Sequence, residues 1–165
     1  MPQVYVAAGS NIDAERNLTL AAAELDRAFG PIECSPWYRN RAVGFEGADF
    51  VNFAVGFATA EPLPRVIERL REIETHCGRP RDAPKWAPRA MDLDILLYGD
   101  LRCEEPGLVL PRPDLLKRAY MLGPLADIAP ELVHPTAGAT IRELWDRFDR
   151  AAHPLFPVRR GSAPR

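Results

Sequence analysis

The chain has 165 residues, with 21 Lys plus Arg against 23 Asp plus Glu and a formal net charge of −2. At roughly 100 to 200 residues per domain, this length predicts one domain, residues 1–150, with residues 151–165 as a flexible tail. The near-neutral charge removes the basic excess on which non-specific nucleic-acid binding depends, and no run approaches the roughly 18 to 20 apolar residues of a membrane span.

A hydrophobic content of 47% and a charged content of 27% lie in the range of soluble globular proteins. The opening MPQVYVAAGSN lacks the basic flank and long apolar stretch of a signal peptide. A cytoplasmic monomer with neither nucleic acid nor membrane as partner is therefore expected. Cys34, Cys77 and Cys103 form no Cys-x-x-Cys pair and read as reduced thiols.

In chain order, Val4 to Ala8 is a short apolar run ended by Gly9-Ser10-Asn11, which predicts a buried strand opening into a loop. Asp13 is placed to cap a helix in which Leu18, Ala21, Ala22, Leu25 and Phe29 recur at helical spacing until Gly30-Pro31. Ile32 to Arg41 and Phe50 to Thr59 read as two strands. A second helix starts at Glu61-Pro62, carries Leu63, Val66, Ile67, Leu70 and Ile73 on one stripe, and ends at Gly78.

Arg79 to Arg89 contains prolines at 80, 84 and 88, which forbid a regular helix and predict a long loop. Ala90 to Tyr98 reads as a strand and Leu101 to Leu110 as a small hairpin. Asp114 to Ala129 reads as a helix broken at Gly123-Pro124, Thr140 to Arg150 as a short helix, and the last dozen residues as a frayed tail. Strand, helix, strand, strand, helix, strand is the order of an α+β ferredoxin-like βαββαβ sandwich, here with C-terminal helical and hairpin additions.

Within Met91-Asp92-Leu93-Asp94-Ile95-Leu96-Leu97, alternation puts Asp92 and Asp94 on one face, about 6 to 7 Å apart along the chain, and Met91, Leu93, Ile95 and Leu97 on the other. Two carboxylates on one face suit Mg²⁺ held together with substrate phosphates, although a solvated strand end reads the same way from the tripeptide alone. The preceding loop adds Arg79, Arg81, Lys85 and Arg89 against the single Asp82, a charge balance that fits a polyphosphate; a solvated basic loop is the plain alternative. No P-loop, Gly-x-Gly-x-x-Gly or Gly-x-Ser-x-Gly motif is present, and His76, His134 and His153 lack zinc-ligand spacing. On the strand after Asp49, Phe50 and Asn52 share a face, offering a ring beside an amide to a planar heterocycle, or else a core residue beside a turn residue.

The string KWAPRAMDLDILLYGD, residues 85–100, resembles the signature of the 6-hydroxymethyl-7,8-dihydropterin pyrophosphokinases of folate biosynthesis. The resemblance extends to VYVAAGSN, DFVNFAV, GRPR and LPRPDLLKRAYMLGPLADIAPELVHP and covers roughly residues 3 to 135. It implies transfer of the pyrophosphoryl group of ATP, as co-substrate, to the pterin hydroxymethyl, with two Mg²⁺ ions between the triphosphate and the metal ligands Asp92 and Asp94.

The same resemblance implies ATP contacts from Glu74, Arg79, Arg81, Trp86, Arg89, Arg112 and Arg118, with Arg79 and Arg89 also catalytic. It implies a pterin site of Val43, Gly44, Phe50, Asn52, Trp86 and Tyr120. Pro111-Arg112-Pro113 departs from the family's Pro-His-Tyr, residues 38–44 lack its usual Thr and Pro, and Arg71 stands where some relatives carry Gln. A non-catalytic nucleotide-binding module and a metal-dependent phosphohydrolase on the same fold are the alternatives.

Overall fold

The apolar run at the N-terminus becomes the middle of the sheet. In the computed structural model, which describes residues 1–42, 47–78 and 91–159, β1 (Gln3–Ser10) is buried at every position after Gln3. A strand so covered on both faces needs a partner along each edge for its amides and carbonyls, and β1 has them: β4 (Phe50–Ala58) on one side and β5 (Asp92–Tyr98) on the other, both antiparallel. The sheet order is β5-β1-β4-β3-β8, where β3 is Tyr38–Asn40 and β8 is Phe156–Pro157. The short β2 (Glu33–Cys34) also pairs with β4.

Helices α1 (Ala14–Phe29) and α2 (Leu63–His76) cover one face. Their buried Leu18, Leu25, Val66, Leu70 and Ile73 pack on Val4, Val6, Ala8, Phe53, Val55 and Phe57. The opposite face, presenting Tyr5, Ala7 and Ala54, is covered by α3 (Ala119–Ile128) and α4 (Ile141–Asp146) through Met121, Leu122, Leu125 and Ile141. A hairpin of β6 (Cys103–Glu105) and β7 (Leu108–Leu110) and a 3-10 turn at Pro113–Leu116 connect β5 to α3. Among the described residues, no helix is long and apolar enough to cross a membrane.

Five expectations are corrected. The strand predicted over Ile32 to Arg41 is two strands, because at the break the Ser35 hydroxyl, rather than a β-ladder carbonyl, takes the Ala54 amide, and Pro36 has no amide to offer. Asp13 does stand at the start of α1 but makes no side-chain cap. Its φ of 46° puts it in the left-handed region, and it is Asn17 Nδ2 that donates back to the Ile12 carbonyl at 2.7 Å.

Helix α3 runs straight through Gly123-Pro124, and the break lies upstream, between the 3-10 turn and Ala119. Here tertiary packing outweighs the one rung that proline removes: a Cβ on Gly123 would lie within 3.0 Å of Trp145 and Leu155, so α4 and the following chain press closely on this helix. Within the expected tail, Phe156–Pro157 pairs with Tyr38 and Arg39, and Arg39 lies over the Phe156 ring at 5.5 Å.

Finally, Leu97 does not share a face with Leu93 and Ile95. Tyr5 is paired with Leu97 and Val6 with Ile95, so Leu96 is inserted as a bulge, and every residue after it changes face. Leu97 therefore joins the core on the aspartate side.

Candidate functional site

Residues of three adjacent strands build the site on the α3 face of the sheet. In the register, Gly9 of β1 lies opposite Asn52 of β4 and also opposite Asp92 of β5. At about 4.8 Å between neighbouring strands, the amide and the carboxylate stand roughly 10 Å apart, with the glycine between them. Asp94 follows two residues on, opposite Ala7, and alternation puts it on the same face as Asp92. Both aspartates are half-buried, whereas Leu93 between them is buried in the helical layer of α1 and α2.

The carboxylates occupy the edge strand of the sheet, and their surroundings hold that edge in place. Glu74 of α2 accepts the Leu93 amide at 2.8 Å, using its carboxylate to satisfy a backbone donor beside the aspartates. On the other side the Leu96 bulge leaves its carbonyl to accept the Arg112 amide at 3.0 Å. That bond brings the Arg112 guanidinium to Asp94, with Nη2 3.3 Å from Oδ1. The Nε atoms of Arg112 and Arg118 are buried with no hydrogen-bond partner among the described residues.

A cleft of about 1150 Å³ opens along this edge. Leu63, Ile67 and Leu70 of α2 line one wall, the β6–β7 hairpin the other, and Asp92, Asp94, Arg112 and Tyr120 the floor, with Arg71 and Glu74 also exposed to it. The Tyr120 phenol is pushed up to about 12, chiefly by burial; the Arg118 charge opposes the shift, and Asp94, Asp114 and Asp92 add to it. Tyr120 is thus a neutral phenol at any working pH.

The second half of the site is uncharged. Asn52 is buried, and its Nδ2 donates to Oδ1 of Asn40 on β3, which is itself buried. A Cβ on Gly9 would collide with Asn52 Oδ1, so only glycine leaves room for this amide. Phe50 is half-buried and, by alternation, on the same face of β4 as Asn52.

The structure therefore brings Asp92, Asp94, Glu74, Arg112 and Tyr120 together at the cleft, and Asn52 and Phe50 two strands away on the same face. Val43, Gly44, Arg79, Arg81, Trp86 and Arg89 lie outside the described residues. Sequence reasoning missed two roles: that of Gly9, which read only as a turn signal, and the pairing of Asn40, noted only within the departure at residues 38–44, with Asn52 twelve residues on, a distance that carries no local periodicity. Among the described residues, no cluster of three or more His, Cys, Asp or Glu forms a complete metal cage. Two hard carboxylates beside a cleft instead suit a cation whose remaining ligands come with the substrate.

The sequence model of the 7,8-dihydro-6-hydroxymethylpterin-pyrophosphokinase family matches residues 5–130. A 2-amino-4-hydroxy-6-hydroxymethyldihydropteridine pyrophosphokinase of Synechocystis is 40% identical over 147 residues, 88% of this chain and 74% of that one. Its counterpart in Aquifex aeolicus is 34% identical over 87% of this chain and 90% of its own. A crystal structure of Plasmodium falciparum HPPK-DHPS matches with a TM-score of 0.66 at 16% identity, over 88% of this chain and 41% of the other. The present chain thus spans about two fifths of that longer protein, and at such identity the likeness bears on fold alone. The match across most of the chain, together with relatives of this identity and coverage, places the chain in the 7,8-dihydro-6-hydroxymethylpterin-pyrophosphokinase family.

Proposed function

We propose that this chain transfers the pyrophosphoryl group of ATP to the hydroxymethyl group of 6-hydroxymethyl-7,8-dihydropterin, a step of folate biosynthesis, on a ferredoxin-like core formed by β1, α1, β2 with β3, β4, α2 and β5. The observation that carries the reading is the register across β4, β1 and β5: a neutral amide for a heterocycle and a carboxylate pair for a charged phosphate chain share one face, with a glycine between them.

The bond that forms joins the hydroxymethyl oxygen to the β-phosphorus, and the bond that breaks joins that phosphorus to the oxygen bridging it to the α-phosphate, which leaves with AMP. The hydroxyl proton is released to solvent. Asp92 and Asp94 would hold Mg²⁺, two ions in the family's pattern, and when bound the metal neutralises phosphate charge and polarises the phosphoryl oxygens. Arg112, already beside Asp94 and lining the cleft, offers its guanidinium to phosphate oxygens, and Arg118 is assigned to ATP by the family pattern. Glu74 keeps the edge strand in place through Leu93. The apolar wall of Leu63, Ile67 and Leu70 suits the flat, weakly polar part of a nucleotide.

Asn52 reads the pterin edge, with Phe50 and Tyr120 as the aromatic groups on the same side. Tyr120, a phenol with its pKa near 12, packs and donates but does not act as a base. Arg79, Arg81 and Arg89 are assigned to the triphosphate, and Trp86, Val43 and Gly44 to the pterin, by the family pattern alone.

Incubation with ATP, Mg²⁺ and the pterin, followed by nucleotide chromatography, tests the proposal. Pterin-dependent AMP without free pyrophosphate is the expected result. ADP, or ATP breakdown that needs no pterin, would instead mark a kinase or a phosphohydrolase.

A further inference from the structure

Asn40 and Asn52 are diagonal neighbours across the β3–β4 pair, since Tyr38 stands opposite Asn52 and Asn40 opposite Phe50. The oxygen and nitrogen of an amide are nearly the same size, so orientation is decided by hydrogen bonds rather than by shape. Here the chain of bonds ends on a group that cannot be reversed. The Arg41 carbonyl only accepts, and Asn40 Nδ2 donates to it at 3.0 Å.

That bond turns Asn40 Oδ1 toward Asn52, whose Nδ2 donates to it. Asn52 then keeps its Oδ1 on the Gly9 side, in the space that the missing Cβ leaves, and has one N–H still to offer. A reversed Asn52 would set two buried carbonyl oxygens against each other with no proton between them.

From this relay we infer that Asn40 is a positioning and specificity-determining residue: it locks the Asn52 amide so that the substrate heterocycle meets one carbonyl oxygen and one N–H in a set order. The inference rests on the proposed reading that the pterin lies against Asn52. A ring edge that offers a donor to Oδ1 and an acceptor to the N–H fits this arrangement, and the reversed edge does not. Such discrimination is strong because a mismatch leaves buried polar groups unpaired.

Asn40→Ala removes both bonds of the relay, whereas Asn40→Asp keeps an acceptor for Asn52 Nδ2 but sets its second oxygen against the Arg41 carbonyl. In steady-state kinetics of the full chain, Asn40→Ala should raise the pterin KM about tenfold while the ATP KM moves less than about twofold, and Asn40→Asp should fall between the parent and Asn40→Ala. Asn52→Ala should raise the pterin KM at least as far, and adding Asn40→Ala to it should bring no further loss. A pterin KM unmoved by Asn40→Ala but raised by Asn52→Ala overturns the relay. So does a loss that adds to that of Asn52→Ala or falls equally on ATP, the mark of a merely structural role.

A pterin KM unmoved by Asn52→Ala overturns the pterin reading itself and the inference with it. Should Asn40→Ala fail to fold, the parent protein still decides by side-chain amide NMR. One Asn52 Nδ2 proton should be protected from exchange, and two freely exchanging protons would sink the relay.

Discussion

The two halves of the site use opposite physics. At β5 the groups are ionic: carboxylates on an edge strand, Arg112 at 3.3 Å from Asp94, and Glu74 on the Leu93 amide. Two and three strands away, at β4 and β3, they are neutral and buried, and Asn52 and Asn40 are ordered by hydrogen bonds that end on a backbone carbonyl. Charges in a wet cleft tolerate motion because Coulomb attraction is long in range and weakly directional. An amide that must present donor and acceptor in order does not, so its half lies deeper and is fixed by steric fit as well. The division suits a reaction in which one substrate brings much charge and the other brings a pattern.

Removing a carboxylate should break the ionic half outright. Asp94→Ala is expected to lower kcat by about a thousandfold or more, because Asp94 is assigned to transition-state charge rather than to the core, with little change in circular dichroism. Near-normal turnover would remove Asp94 from the metal site. Gly9→Ala comes next and bears on both halves, since the new methyl would collide with Asn52 Oδ1 while Asp92 stands opposite on the other strand. It should raise the pterin KM by roughly ten- to a hundredfold, more than it alters the ATP KM. An equal loss for both substrates would mean that the strand itself had shifted.

Arg112→Ala should cost about tenfold in kcat/KM for ATP, the loss of one charge-assisted contact, and leave the pterin KM in place. Arg112→His keeps a ring nitrogen donor at this place, and it should recover part of the loss. A change confined to the pterin would contradict the assignment of Arg112 to the ionic half.

The two halves also differ in how far sequence reasoning reaches them. Asp92 and Asp94 are legible because alternation is a local property of one strand, and the stripe of Val66, Leu70 and Ile73 likewise predicts which face of α2 is buried. What strand pairs with what, and in which register, is not local. The Leu96 bulge sits within an uninterrupted apolar run, yet it moves Leu97 to the aspartate face and frees the carbonyl that anchors Arg112. Gly9 and Asn40 gain their roles only from the residues opposite or diagonal to them. Pro124 misleads for the related reason that its penalty is set against packing on Trp145, which lies some twenty residues further along the chain.

The smallest expected effect tests whether function and stability separate beyond both halves. His134 is buried, and its Nδ1 accepts the amides of Thr136 at 3.2 Å and Ala137 at 3.0 Å, so the ring proton resides on Nε2, which has no partner among the described residues. Burial lowers its pKa below the ordinary 6.5, and protonating Nδ1 would in addition break both bonds. A folded pKa below the unfolded one means that the unfolded chain binds the proton more readily. The stability His134 contributes is thus present above about pH 6.5 and is lost as pH falls through the lower folded value.

Arg102, which lines the cleft, donates to the Pro135 carbonyl at 2.6 Å, so this loop braces the hairpin without entering the site. Thermal melts from pH 7.5 to 5 should show Tm falling faster for the parent than for His134→Gln. The substitution itself should cost about 1 to 3 kcal/mol near neutrality, with both KM values unmoved while the fold persists. Parallel melting curves would assign the acid sensitivity to other groups. A raised ATP KM would show that the loop shapes the ionic half after all.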